Sequence, residues 1–418
     1  MSAPRAGLFG ALGSIPTFEA LRYREFRLLW LGWGGTGMAL WMDQVSRGWL
    51  MYQLTDSALQ LGLVRLIQAL PFLLMSPIAG ALADRYDRKM QMVWAQALDG
   101  TQYLLLTGLI FTGQVAPWHV YATAFASAAV QAFQQPPRQS LVSESVPAAN
   151  LTNAIGLTSI AWNVSRSLGP ALAGALIAAW GTGAAFLGQA ALLAAATVWV
   201  LQLQPALRFQ DGTSRPRRPS FLAANVEALR FIRRSETVRT GMLVLMLASL
   251  LAMPFVTLLP VFARDILEAG PNGQGFLLSA MGIGALTSAV LIASFGDRLP
   301  KGVLMLLGAI VYGFTLVGLA LTSWFVVFAG LMVVAGLCNV ACNALIQTIV
   351  QANTPSELRG RIMAVYQQNQ VVLTVGSMLA GALATAWGAQ QALGSMGLAC
   401  AVAALAIFAL IPHARAIR

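Results

Sequence analysis

The sequence predicts an all-α integral membrane protein with 12 transmembrane helices in two six-helix bundles, and three observations carry that prediction. Apolar stretches of about 20 residues or more, the length that a bilayer core demands of a spanning helix, recur twelve times along the 418 residues. They fall into two sets of six separated by a polar, arginine-rich segment. The composition is 57% hydrophobic and 10% charged, whereas soluble domains carry roughly 25% charged residues. A soluble chain cannot hide so much apolar surface; a bundle solvated by lipid need not.

Taken in order, the first set covers 26–53, 58–83, 90–113, 117–135, 151–180 and 183–204. The second covers 240–263, 273–295, 302–322, 324–349, 361–386 and 390–412. The chain thus divides into an N-terminal bundle over 1–205, a cytoplasmic linker over 206–238, and a C-terminal bundle with a short cytoplasmic tail over 239–418. Within the linker, Phe221, Leu222, Val226, Leu229 and Ile232 lie near one helical face, with Glu227, Arg230 and Arg234 elsewhere. That is the pattern of an amphipathic helix tethered to the inner membrane surface.

The two sets share their punctuation. Gly62 and Gly275 stand near the starts of the second and eighth spans, 213 residues apart, and the same offset relates Asp84 to Asp297, Arg85 to Arg298 and Arg88 to Lys301. Pro147 and Pro355 open matching turns at an offset of 208. A near-constant spacing of half the chain implies duplication, as in transporters built from parallel repeats.

The net charge of +11 is read as orientation. With the amino terminus inside, 22 of the 26 basic residues fall in inward-facing segments, and only Arg47, Arg65, Arg166 and Arg264 do not. The positive-inside rule then places both termini in the cytoplasm. Residues 1–25 show no apolar core of a cleavable signal peptide. A nucleic-acid partner lacks any basic-aromatic patch or motif. The three cysteines, Cys338, Cys342 and Cys400, lie inside predicted helices with no His nearby to complete a metal site. Two histidines, His119 and His413, and the absence of triad, Walker or dinucleotide motifs speak against an enzyme.

The segment Gly80-Ala-Leu-Ala-Asp84-Arg85-Tyr-Asp-Arg88-Lys89 resembles the loop 2–3 signature of the major facilitator superfamily, with Asp87 where the family pattern has Gly. Gly169-Pro170-Ala-Leu-Ala-Gly174 on the fifth helix resembles the family's antiporter element, with Ala173 replacing one Gly. The arginine that many of its antiporters carry within the fourth helix is not matched; Arg138 lies beyond Pro136-Pro137 and so outside the fourth span. The stretches 133–138, 259–265 and 358–366 are similar to the enterobactin-exporter-like branch, which exports siderophores and drugs. The resemblance implies alternating access between two bundles. It also implies a cytoplasmic gate built from Gly80, Asp84, Arg85, Arg88, Lys89, Asp297 and Arg298. In physical terms, small residues let helices approach closely, Asp84 suits a neighbouring helix N-terminus, and the cations face the other half and lipid phosphates. Plain topology-setting charges are the competing reading.

Charges inside a span are functional candidates by default. Asp43 and Arg47 are four apart on the first helix, hence on one face, and Thr36 and Leu40 continue that face. On the fifth helix Ser159, Asn163 and Arg166 share a face. The family fold implies that helices one and five are neighbours, so Asp43 is expected to pair with Arg47, Arg166 or both. Asp43 is the leading proton-coupling carboxylate, with a purely structural ion pair as its alternative. Asp99, the second candidate, sits on a helix that the resemblance puts at the periphery, and an inner-surface hydrogen bond is favoured for it.

The second half offers neutral polar stripes instead: Asn339, Asn343 and Gln347 on the tenth helix, and Tyr366, Gln370, Thr374 and Ser377 on the eleventh. Ser127, Gln131 and Gln134 do the same on the fourth. Interhelical hydrogen bonding and cavity lining are both open for these groups. The expectation is a secondary transporter of the inner membrane that exports an amphipathic small molecule, siderophore or drug, against protons. No cofactor is expected, since the proton gradient supplies the energy. The expected partners are the small-molecule substrate and membrane lipids, with no nucleic acid, and the expected state is a monomer. An importer or facilitator, or a transport-silent receptor or scaffold, stands as the alternative.

Overall fold

The computed structural model describes residues 16–204, 221–295, 300–411 and 415, without the side chains of 16–17, 72–73, 76–85, 221–226, 293, 295 and 356–357. Thirteen long helical elements account for nearly all of these. In the first half they are α1 (Arg24–Thr55), α2 (Ala58–Arg85), α3 (Arg88–Phe111), α4 (Pro117–Glu144), α5 (Leu151–Trp180) and α6 (Thr182–Leu201). An amphipathic α7 (Phe221–Arg234) precedes α8 (Glu236–Ile266), α9 (Gly270–Phe295), α10 (Lys301–Leu321), α11 (Phe325–Ala352), α12 (Leu358–Trp387) and α13 (Ala389–Leu410). Among the described residues, seven helices, α6 and α8 to α13, are both long and apolar enough to cross a membrane. Helices α1 to α5, of 24 to 32 residues, also exceed the roughly 20 residues of a bilayer core, but they carry the internal charges.

Local chemistry sets the joints. Asp87 caps α3 by accepting a hydrogen bond from the Met90 amide at 2.9 Å in an extended conformation. The turn that the loop signature builds with Gly is made here by an N-cap carboxylate. Ser235 caps the start of α8. Gly181 (φ +83°) and Gly388 (φ +90°) form the breaks between α5 and α6 and between α12 and α13, where a side chain would be strained. Each follows a Trp, Trp180 or Trp387, 207 residues apart.

The fourth span corrects one expectation. Pro136 and Pro137 lie inside α4, which runs on to Glu144, so Arg138 is within the helix and buried rather than beyond its end. Proline removes a single N–H each time, and membrane helices tolerate this where neighbouring helices pack around the freed carbonyls.

Contacts divide the chain into two compact units, 1–50 with 70–215, and 51–69 with 216–418. In the first, α3 packs on α4 and α6. A Cβ at Gly169 of α5 would stand 2.8 Å from the Trp41 Cβ of α1, so the antiporter-like element is where α5 closes on α1. Pro170 and Gly174 are buried on the same helix.

In the second unit, α10 packs on α11 and α13, and α9 on α11. A Cβ at Gly284 or Gly336 would lie 1.9 Å from a backbone oxygen of the facing helix, Val333 or Met281. The residues 51–69 join this unit through the same kind of approach. A Cβ at Gly62 would be 2.8 Å from the Ser377 carbonyl oxygen, and one at Gly381 would be 2.6 Å from that of Ala58. Arg264 bonds Asp56 at 2.6 Å, and the Tyr52 hydroxyl donates to Asp265. Helix α7 buries Ala228 and Ile232 in a core with Met242, Ile346 and Ile362, and Glu227 pairs with Arg361. Leu229, placed by its spacing on the apolar face, is exposed.

Candidate functional site: a buried polar cluster in the first unit

Asp43 and Arg47 sit four residues apart on α1 and are both buried. The Arg47 Nε donates to both Asp43 oxygens, at 2.9 and 3.1 Å. Its Nη1 donates to the Val120 carbonyl at 3.2 Å and to the Thr123 hydroxyl at 2.8 Å on α4. Of the two expected partners of Asp43, Arg47 is the one that meets it. Arg166 is half-buried, with its guanidinium 5.4 Å from the centre of the Trp41 ring. Asn163 donates to the Ser159 carbonyl of its own helix at 2.9 Å.

Asp99 is buried halfway along α3 and accepts a hydrogen bond from Ser127 of α4 at 2.6 Å. The bond expected for it exists, but in the interior of the unit rather than at the inner surface. One turn earlier on the same helix, Gln96 donates to Thr36 of α1 at 3.3 Å. These contacts converge on a cleft lined by Thr36, Asp99, Gln131, Gln134, Arg138 and Trp162. Its volume, about 20 Å³, suits a water or one small polar group, since a water needs roughly 10–15 Å³.

One wall of this region is aromatic. The Trp162 ring centre lies 5.6 Å from that of Trp33 and 5.7 Å from that of Trp41. Arg138 stacks its guanidinium 4.1 Å from the Trp33 ring centre and donates to Gln134 at 2.7 Å. Gln134 belongs to the polar stripe read on the fourth helix, whereas Trp33 and Arg138 are not among the candidates read from the sequence, Arg138 because two prolines disguised the end of α4. The i, i+4 spacing of Gln134 and Arg138 is the signal that was available.

The remaining candidates lie elsewhere. Arg88 pairs with Glu144, and Lys89 donates to the Leu203 carbonyl at 2.6 Å. Both gate-motif cations are thus engaged by partners within their own unit. Asp84, Arg85 and the side-chain surroundings of Gly80 lie outside the described side chains, and Asp297 and Arg298 outside the described residues. In the second unit Asn339 faces the Tyr312 hydroxyl at 3.5 Å, and the Asn343 amide donates to the Asn339 carbonyl at 2.8 Å. Thr374 donates to the Gln370 carbonyl at 2.8 Å, and Gln370 itself is exposed. The three cysteines are buried thiols.

Long apolar helices that bury charges along their length are those of a polytopic membrane protein, and known proteins share the fold. The structure of a bacterial homolog of the human lysosomal transporter Spinster superposes with a TM-score of 0.76 at 16% identity, over 94% of this chain and 98% of that one. The family of transmembrane secretion effectors matches residues 15–418, and the chain belongs to that family of the major facilitator superfamily. The staphyloferrin A transporter of Staphylococcus aureus (strain NCTC 8325 / PS 47) is 22% identical over 362 residues, 86% of this chain and 89% of that protein. Macrolide efflux protein A of Streptococcus pyogenes is 24% identical over 355 residues, covering 82% and 86%. Multidrug efflux pump Tap of Mycolicibacterium fortuitum is 27% identical over 363 residues, covering 82% and 85%.

Proposed function

We propose that this transporter exports an amphipathic small molecule, a siderophore or a drug, in exchange for protons, from the inner membrane and with both termini in the cytoplasm. The observation that carries the reading is the pair of carboxylates buried halfway along α1 and α3. Asp43 is held by Arg47 and Asp99 by Ser127, and a carboxylate kept within a span is expensive unless it works. The cargo class draws on relatives named for staphyloferrin A, macrolides and multiple drugs, and on the aromatic wall beside the polar cleft.

The working unit is a monomer of twelve spans in two bundles, 1–205 and 239–418, joined by a linker over 206–238. The recurrence of the Trp-Gly joint, and of one helix packed on its next neighbour and on the last helix of its set, supports this count. Alternating access needs no nucleotide or prosthetic group; the proton gradient supplies the energy. The cations at Arg88 and Lys89 stiffen the inner end of the first bundle, and Gly80, Asp84, Arg85, Asp297 and Arg298 complete the gate. The neutral groups at Asn339, Asn343 and Thr374 line the cargo path from the second bundle.

The test is reconstitution in liposomes loaded with a pH dye, with siderophores, macrolides and cationic drugs as cargo. Cargo-evoked proton movement in the wild type, lost in Asp43→Asn with cargo binding retained, is the expected result. Cargo flux that leaves the internal pH untouched would sink the coupling, and no flux of any compound would sink export itself.

A further inference from the structure

The charges of the first unit are not all balanced. Asp43 and Arg47 pair with each other, although the Arg47 Nη2 finds no acceptor, and Asp99 accepts a bond from Ser127. Arg138 is different: it is 6% exposed, and no carboxylate pairs with it among the described residues. Its neighbours are the Trp33 ring and the Gln134 side-chain oxygen.

Three N–H donors in this cluster have no acceptor at all. They are the Arg138 Nε, the Gln134 Nε2 and the Trp33 Nε1, each buried. The orientation of Gln134 is set by the bond its oxygen accepts from Arg138, so its NH₂ group is the free end. Buried donors without acceptors are rare in native proteins, and a buried charge without a partner is the costliest of them. Beyond the Gln134 oxygen that Arg138 already uses, these three buried donors and one positive charge meet no acceptor among the described residues. Gln134 and Arg138 both line the cleft, and its volume admits a carboxylate-sized group but not a whole cargo.

We propose that Arg138, Gln134 and Trp33 form a recognition site for an anionic oxygen group, a carboxylate carried by the exported molecule, whose aromatic or apolar body lies against Trp33 and Trp162. The proposal rests on the export reading and narrows it to anionic amphiphiles. A guanidinium offers a carboxylate two parallel N–H bonds, and the tryptophan face beneath it holds the cation in place without neutralising it. Asp99 lines the same cleft and accepts from Ser127 through one oxygen, and it makes no ion pair with Arg138.

Two measurements test this on the full-length protein in detergent. The first needs no cargo. If Arg138 is an uncompensated buried charge, Arg138→Met raises the thermal unfolding midpoint by about 2 °C or more, the response of a large domain to a gain near 1 kcal/mol. A midpoint at or below that of the wild type would mean that Arg138 is already satisfied, and it overturns the site. The second uses tryptophan fluorescence to compare 1-naphthylacetate with its neutral amide, 1-naphthylacetamide. The wild type is expected to bind the acid at least ~10-fold more tightly than the amide, the scale of one charge-assisted bond. Arg138→Met should remove that preference and Arg138→Lys should retain part of it. Equal response to acid and amide in the wild type, or an unchanged preference in Arg138→Met, also overturns the site. Failure of the liposome panel to be exported strikes the export reading alone, because neither measurement here depends on flux.

Discussion

The two units of this protein bury polarity in opposite ways. The first holds Asp43, Arg47, Asp99 and Arg138 in its interior, each placed by a helix that looks too polar to be a simple span. Among its described residues the second keeps its interior neutral, with Asn339, Thr257, Thr374 and Ser377 among apolar side chains, and is held by helices that touch backbone to backbone at Gly284, Gly336, Gly313 and Gly397. Its described ion pairs, Arg264 with Asp56 and Asp265, and Arg361 with Glu227, are partly exposed. One unit is therefore vulnerable to a change of charge, the other to a change of shape.

The largest expected effect follows from charge. Asp43→Ala leaves Arg47 buried and unpaired, and about 3–5 kcal/mol of stability should be lost. Replacing both as Asp43→Leu with Arg47→Met should restore most of that stability while transport stays dead. Thermal unfolding in detergent reads the first quantity and liposome flux the second; a double variant no more stable than the single one would break the comparison.

Shape comes next. Gly336→Ala or Gly284→Ala forces a methyl to 1.9 Å from a backbone oxygen, and overpacking of that kind costs roughly 1–3 kcal/mol. Gly169→Ala in the first unit meets the Trp41 Cβ at 2.8 Å and should cost less. Gly108→Ala meets nothing within 4 Å and serves as the neutral control. Unfolding midpoints that rank the four variants otherwise would refute the assignment of close packing to the second unit.

The smallest effect belongs to the partly exposed pair on α7. Glu227→Ala should cost no more than ~1 kcal/mol and less at high salt, read by unfolding midpoints at two salt concentrations. A larger loss would make α7 a structural strut of the second unit rather than a surface tether.

Helix existence was legible in the sequence because a bilayer writes its thickness directly into the length of an apolar run. All twelve expected stretches coincide with described helices, most ends differing by a few residues. The fourth is the exception: Pro136-Pro137 reads as a stop by local rules, and only the surrounding helices reveal that α4 continues. The cost of that misreading was the location of Arg138. The Asp43–Arg47 pair was legible from its i, i+4 spacing, since one helix alone fixes it. Bringing Trp33 of α1 to Arg138, and Ser127 of α4 to Asp99 of α3, took three helices, and no local pattern encodes that. The duplicated Trp-Gly joint was present in the sequence, but its meaning rests on the positive φ of Gly181 and Gly388.

By itself the sequence determined the class of protein, the order of its helices, the length of all but the fourth, and the burial of Asp43, Arg47 and Asp99, because these depend on composition and on periods within one segment. Tertiary structure decided which charges are paired. Asp43 finds its partner one turn away and Asp99 finds Ser127 on the next helix, while Arg138 meets a tryptophan ring and a neutral amide oxygen and no carboxylate. Whether a buried cation is balanced depends on the sum of what several helices deliver to one point, and that sum exists only once they have packed.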